Sequence, residues 1–315
     1  MVRRTGTVVG YVSSDPPGIS CGSRCSAVFP FGTIVTLSPT VGLEGSFGGW
    51  AGACSGTRAC TVTIDAEQSV SATFACTGSR QFASAGGYET FKIPACSRSV
   101  FVDASGAQGG NEGGKGARIR GAFAKNTLPS SDLIVLVGAM GIADYGGGGS
   151  FVYVNATDAV PLVAAGGGGG TSEACSGGPG SATQTPTTGV GGSGNGTSGS
   201  NGEGGGAGAY SASEPLLQIG AGGAGWRGDG LPRFLGGSAP RNGAFSGGAS
   251  GNQSGGHSSG GGGGGGFNGG GGGNAFNNGA GGCGGGGGSY NSGTDQTNNS
   301  DAREGNGLVT ISWIE

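Results

Sequence analysis

Short runs of alternating apolar and polar residues mark the first quarter of the chain. The clearest runs are residues 7–12, 33–37, 60–64 and 69–74, and the second of them stops before Pro39. Alternation with a period of two, in runs rich in Val, Ile and Thr, is typical of half-buried β-strands. Helical spacing of apolar residues at i, i+3 and i+4 occurs nowhere in the sequence. The pattern predicts a small all-β module over residues 5–75.

A second set of short strands is predicted after Cys76. Residues 117–123 alternate, which suits a half-exposed antiparallel strand, whereas residues 133–137 are continuously apolar and suit a central buried strand. The other runs are residues 88–94, 99–104, 151–154, 160–164 and 308–314. Several short strands without helices predict a β-sandwich or jelly roll. We place the domain boundary after residue 77, which gives domains at residues 1–77 and 78–315.

Glycine dominates the region before the last predicted strand. The chain has 83 glycines in 315 residues, with tracts at residues 260–266, 269–273 and 284–288. Strand 308–314 follows this region and its expected partners precede it. We therefore interpret residues 166–305 as an insertion within one domain rather than as a tail. Residues 160–170 and 214–226 also share a Pro-Leu start, a short apolar run and a glycine tract.

Two structures are compatible with so much glycine. A flexible Gly/Ser/Asn linker would bury no apolar area. The alternative is a set of polyglycine helices in polyproline-II geometry, with three residues per turn and hydrogen bonds between neighbouring helices. Glycine loses much conformational entropy on ordering, so these helices need anchors. The sequence offers apolar residues that punctuate the tracts, and we expect ordered packing; they are Trp226, Phe245, Phe267, Phe276 and Tyr290.

Cysteine gives the strongest chemical signal. The eight cysteines are Cys21, Cys25, Cys54, Cys60, Cys76, Cys96, Cys175 and Cys283. An even number in a β-rich chain of low charge favours disulfides and an oxidising environment. The alternative is a zinc site of the first four, although few basic residues are nearby to favour thiolates. A Cys175–Cys283 bridge would close a loop of about 100 residues and stabilise the fold by about 4–5 kcal/mol.

Charge and the remaining motifs exclude most other chemistry. The net charge of −3 and the scattered basic residues argue against nucleic acid and anionic membranes as partners. No apolar run is long enough for a membrane span, and the start of the chain lacks the apolar segment of a secretory signal. His257 lies in a glycine loop, and Asp144, Asp229 and Asp295 are isolated. We expect no catalytic residue, no metal site and no cofactor.

The first module resembles a known bacterial repeat. The resemblance rests on residues 18–21 (GISC), 25 (C), 32–37 (GTIVTL), 47–54 (FGGWAGAC), 60–64 (CTVTI) and 70–74 (VSATF). These motifs resemble the divergent internalin-B-type repeat, a β-grasp-like spacer module of surface proteins. The resemblance implies a stalk without enzymatic activity, disulfides Cys21–Cys25 and Cys54–Cys60, and Trp50 as an aromatic core anchor. Cys76 and Cys96 then remain as the fourth pair.

The rest of the chain resembles bacterial and phage glycine-rich domains. The motifs are residues 91–94 (FKIP), 100–110 (VFVDASGAQGG), 113–116 (GGKG), 134–138 (IVLVG), 146–149 (GGGG), 161–166 (PLVAAG) and 305–313 (GNGLVTISW). The same layout is similar to the glycine-rich domain of the anaplastic lymphoma kinase receptor family, a TNF-like β-sandwich with a polyglycine-helix bundle. This resemblance implies ligand or receptor binding, or host-surface adhesion. The growth-factor-like and kinase parts of that receptor are absent, so signalling is not implied.

These observations predict a non-enzymatic structural or adhesive protein at an extracellular or virion surface. A chain with disulfides and no secretory signal favours a phage tail or fibre component, and the expected partner is a cell-surface glycan or protein receptor. The alternative is a secreted adhesin or a filament subunit that pairs an edge strand at residues 5–12 with a neighbouring copy. We expect a homo-oligomer in either case. A carbohydrate-binding module attached to an enzyme is disfavoured because few exposed aromatic residues are apparent.

Overall fold

Strands provide almost all of the regular secondary structure. The structure is a computed structural model that describes residues 1–42, 44–110, 112–172, 175–188, 196–208, 219–231, 260–274 and 281–315. In this part of the chain the only helical turn is a 3-10 turn at Lys125–Thr127. The expected all-β fold class is confirmed.

The first seven strands form two small sheets around one core. They are β1 (Val2–Gly6), β2 (Gly10–Asp15), β3 (Ser20–Cys21), β4 (Ile34–Val41), β5 (Ser46–Gly52), β6 (Cys60–Thr63) and β7 (Val70–Ala75). One sheet has the order β1-β7-β5, with β1 parallel to β7, and the other has the antiparallel order β3-β2-β4-β6. Trp50 and Phe74 are buried in the core between them. We call these strands the N-terminal module.

Three details of this module differ from the prediction. The single strand over residues 7–12 is wrong, because β1 ends at Gly6, whose positive φ of 101° turns the chain before β2 begins. Strand β4 does not stop before Pro39, which lies opposite Val12. Strand β6 pairs β4 only over residues 34–37, so the missing N–H of Pro39 breaks no bond to β6. Strand β5 was not predicted, because its glycines and a bulge interrupt the alternation.

The remaining ten strands form a β-sandwich. They are β8 (Gly78–Phe82), β9 (Tyr88–Lys92), β10 (Ser99–Ser105), β11 (Gly116–Ala124), β12 (Asp132–Leu136), β13 (Ser150–Tyr153), β14 (Val163–Ala165), β15 (Tyr290–Asn291), β16 (Thr294–Arg303) and β17 (Leu308–Ile314). The sheets have the orders β16-β11-β10-β17-β8 and β15-β14-β13-β12-β9, with antiparallel neighbours throughout. Buried side chains of both sheets, such as Ile119 and Val135, form one apolar core.

The glycine region is inserted between paired strands of the sandwich. Strand β14 precedes it and pairs with β15, which follows it, and the last strand β17 pairs with β10 and β8. The chain therefore returns to the sandwich at Tyr290, before the expected end of the insertion near residue 305. Strand β16 escaped prediction because nearly all its residues are polar and exposed.

Within the insertion, glycine segments bond to one another with a period of three residues. In the segment 260–266, successive amides donate to three different neighbours in turn, and the cycle then repeats. Gly261 and Gly264 donate to Gly282 and Gly285, Gly262 and Gly265 to Asp144 and Gly147, and Gly263 and Gly266 to Ala221 and Ala224. Three residues per turn is the period of the expected polyproline-II-type helix. We call the segments 166–170, 203–208, 219–225, 260–266, 268–274 and 281–288 the glycine helices.

Candidate binding surfaces

All eight cysteines form disulfides. The pairs are Cys21–Cys25, Cys54–Cys60, Cys76–Cys96 and Cys175–Cys283, as expected from the sequence. The zinc alternative is wrong for this structure, because a sulfur held in a disulfide is not available as a thiolate ligand. Disulfides of this number are typical of extracellular proteins, so the protein belongs to an oxidising environment outside the cytosol.

Several predicted residues lie outside the described residues. They are His257, Phe245, Phe276 and the start of the second Pro-Leu segment at residues 214–218. Among the isolated acids, Asp144 accepts a hydrogen bond from the Thr171 hydroxyl at 3.2 Å. In the described ranges, no group of three or more His, Cys, Asp or Glu side chains is arranged to hold a metal ion.

Three of the predicted aromatic anchors join the glycine helices to the sandwich. Trp226 is fully buried against Phe151 and Tyr153 of β13, and its indole Nε1 donates to the Asp158 carbonyl at 3.0 Å. Phe267 stacks on Tyr290 with ring centroids 4.8 Å apart. Burial of Tyr153 raises the pKa of its hydroxyl above the usual value. One sheet of the sandwich is thus covered on both faces, by the core and by the glycine helices.

The glycine helices together form an array, and several of them end at the same side of it. Their ends are joined by successive backbone hydrogen bonds from Gly208 to Gly220, Gly220 to Gly273, Gly273 to Gly261, Gly261 to Gly282 and Gly282 to Asn274. The Cys175–Cys283 disulfide lies at this end, where the amide of Ser172 also contacts the Cys283 sulfur. The segments of sequence between glycine helices at residues 209–218, 232–259 and 275–280 lie outside the described residues.

A rigidly held loop with exposed apolar side chains adjoins this end. The loop comprises residues 139–145. Its side chains Met140, Ile142 and Tyr145 are 44%, 69% and 37% exposed. Backbone bonds hold it on several sides: Gly141 donates to Gln108, Tyr145 accepts from Gly110 and Asp144 accepts from Gly262. We call residues 139–145 the tip loop. Exposed apolar residues on a fixed loop bind a partner with little loss of conformational entropy.

A polar cleft lies beside the tip loop. Its volume is about 620 Å³ and its lining includes Gln108, Glu112, Lys115, Asp301 and Glu304. Lys115 pairs with Glu304 at 3.0 Å, and this hydrogen bond, with the charge of Glu304, raises the pKa of the Lys115 ammonium group. The tip loop and the cleft together form an apolar patch with a polar border, which is the usual composition of an interaction surface. The sequence pattern gave no signal for it.

A second candidate surface lies on the sheet that the glycine helices leave uncovered. The outward residues of β8, β10, β11, β16 and β17 form this surface, which we call the outer sheet face. At its centre, Arg118 donates to both oxygens of Asp103 at 2.9 and 2.6 Å, and Arg120 Nε lies 3.2 Å from Asp103 Oδ2. The hydrogen bonds to Asp103 and the charge of its carboxylate raise the pKa of the Arg118 guanidinium.

Comparison with protein-family models gave no match for this sequence, and comparison with curated proteins gave none either. In the described part of the chain, no helix has the length and apolar character that crossing a bilayer requires.

Proposed function

We propose that this protein is a non-enzymatic structural and adhesive component of a phage tail or fibre that attaches to a host surface. The observation that carries the proposal is the tip loop, because its exposed apolar residues are fixed to the end of a hydrogen-bonded glycine scaffold. Disulfides support a protein that works outside the cytosol. The N-terminal module would serve as a spacer that presents the sandwich and its tip.

A secreted bacterial adhesin or filament subunit is the alternative. It is supported by β1, which is an edge strand of its sheet and pairs only with β7. An exposed edge can accept a strand from a neighbouring copy. The edge is short, and the amide of Val2 already donates to the Cys25 carbonyl at 2.7 Å. Concentration-dependent polymerisation of the purified protein would favour this alternative over the tail protein.

A binding assay on whole bacteria tests the adhesive function. We expect labelled protein to bind some strains of a broad bacterial panel, with saturable affinity. Replacing Met140, Ile142 and Tyr145 together by Ser should weaken that binding by about tenfold or more, since buried apolar and aromatic anchors dominate interface energetics. The matched control replaces Val9, Val28 and Phe31 by Ser, because these side chains are 65%, 99% and 85% exposed but lie on the N-terminal module.

Three outcomes would each reject a part of the proposal. Absence of binding to every strain would reject the adhesive function, and equal binding by the tip and control variants would reject the tip loop as the contact. Hydrolysis of any glycan by the protein would reject the non-enzymatic proposal. Tail genes beside the coding sequence would support the phage component, whereas a secretion cassette would support the secreted adhesin.

A further inference from the structure

The outer sheet face carries a cleft of ligand size. Its volume is about 330 Å³, and it is lined by Phe101, Asp103, Arg120, Asp295, Thr297, Thr310 and Ser312. Sites for small ligands occupy roughly 300–1,000 Å³ and combine a few polar groups with apolar surface. This cleft therefore has the volume and the mixed lining of a site for one small ring-shaped ligand.

Strand register places the polar groups of the cleft in a row. Across five strands, Gln81, Thr310, Asp103, Arg120 and Thr297 lie directly opposite one another in sequence. Neighbouring strands are about 4.8 Å apart, so the row offers hydrogen-bonding groups at regular short intervals. In the adjacent row, Phe101 lies opposite Ala122 and Ser312 and is 37% exposed, which leaves its ring as an apolar platform.

Arg120 supplies donors for a ligand. Its side chain is 54% exposed, and within the described residues only its Nε atom is paired, with Asp103. A guanidinium carries five N–H donors, so its terminal Nη groups remain available at the cleft. Two arginines share Asp103, and Asp295 adds a second carboxylate to the cleft wall. The charges of Arg118, Arg120, Asp103 and Asp295 sum to zero, which favours a neutral ligand over an acidic one.

A bulge in β16 opens the cleft beside Arg120. The register of β16 against β11 shifts between Arg120 and Ala122, and Asp295 has a positive φ of 48°. Bulges of this kind often re-aim a side chain next to a functional site. Asp tolerates the left-handed region better than most residues, because its side chain bonds locally. The departure of β16 from regular pairing thus coincides with the cleft and adds the Asp295 carboxylate, an acceptor, to the lining that Arg120 shares.

We infer that this cleft binds a neutral saccharide with vicinal hydroxyl groups. Each sugar hydroxyl both donates and accepts, which matches a guanidinium next to a carboxylate and hydroxyl side chains. The apolar C–H face of the sugar ring would lie on Phe101. The inference rests on the proposed adhesive function and adds a second contact surface to it: the cleft would bind a surface saccharide, while the tip loop makes the apolar contact.

Binding of the full chain to an array of neutral, acidic and sulfated saccharides tests the inference. We expect binding to neutral members, weakened about tenfold or more in Arg120→Gln, Asp295→Asn and Phe101→Ala variants, since hydrogen bonds to charged groups are strong. Asn also tolerates positive φ, so Asp295→Asn removes the charge and retains the bulge. Arg3→Gln, on the N-terminal module, is the matched control and should bind like the natural protein. Thermal unfolding of each variant verifies folding.

The outcomes separate this inference from the proposed function. Binding to acidic members alone, no binding to any member, or binding unaffected by the three variants would overturn the saccharide site. Periodate, which cleaves vicinal diols, should weaken binding to bacteria as much as Arg120→Gln does, whereas loss after protease treatment alone would indicate a protein receptor and overturn the site. If bacteria are bound and Arg120→Gln has no effect on them, adhesion stands and the saccharide site fails. If saccharides are bound but no bacterium is, the adhesive function fails.

Discussion

In the insertion, glycine is needed because it lacks a Cβ atom, and not because it allows unusual backbone angles. Within the described residues, the glycines with positive φ lie in turns, at strand ends such as Gly6, or at the bulge of β5 (Gly49). None lies in the glycine helices, although Gly202 directly precedes one of them. A Cβ added to Gly264 would instead overlap the carbonyl oxygen of Gly167 in a neighbouring helix. The backbones approach so closely that any side chain would separate them, and the hydrogen bonds between them require that approach.

This reason for glycine predicts a large effect of one methyl group. Gly264→Ala should lower the free energy of unfolding by about 1–3 kcal/mol, as overpacking of a close-packed interior does. Gly87→Ala is the matched control, because a Cβ there meets no atom within 4 Å and its φ is not positive. The control should be neutral or slightly stabilising. Guanidinium denaturation under non-reducing conditions measures both, and equal stabilities would contradict the close-packed array.

At the scale of elements, one sheet of the sandwich supports the glycine helices. Strand β12 is central, since it pairs with both β9 and β13, and the prediction of a buried central strand is confirmed. Strand β13 is buried along its whole length because the other face of its sheet lies under Trp226 and Phe267. The tryptophan is therefore the main apolar connection between a hydrogen-bonded array and an apolar core.

Removal of this connection should destabilise the sandwich. Trp226→Ala is expected to cost about 3–5 kcal/mol, as truncation of a buried aromatic residue does. Trp226→Phe should cost less, about 1–3 kcal/mol, because it keeps the ring but leaves the Asp158 carbonyl without its donor. Phe31→Ala, at a side chain that is 85% exposed, should change the unfolding midpoint little. If Trp226→Ala unfolds at the same denaturant concentration as Phe31→Ala, the array does not depend on this anchor.

The sequence pattern predicts the elements whose stability comes from apolar burial. Strand β17 begins and ends at the predicted residues 308 and 314, because its side chains alternate between core and solvent. The pattern does not predict β16 or the outer sheet face, because their residues are polar and their positions depend on register with β11. The pattern also does not predict the tip loop, but for a different reason. Its apolar residues are exposed, and their exposure depends on contacts with segments distant in sequence.

At the scale of the whole molecule, the N-terminal module contacts the sandwich through specific bonds. The Cys76–Cys96 disulfide lies next to the junction, where Glu44 accepts from the Ala95 amide and the Trp313 indole, each at 3.2 Å. Thr7 also donates to Glu315. The module is therefore attached to the sandwich by several contacts in addition to the chain connection, as its proposed role as a spacer requires.

The glycine helices form a core held together by hydrogen bonds, and amide hydrogen exchange tests this property most directly. Every amide of residues 261–266 and 284–288 donates a hydrogen bond, most of them to other glycine helices, so these amides should exchange at least about a thousandfold more slowly than a random coil. Exposed Gly87 serves as the unprotected reference within the same sample. Protection across both segments is the predicted result, and exchange of these glycines at random-coil rates would contradict the account.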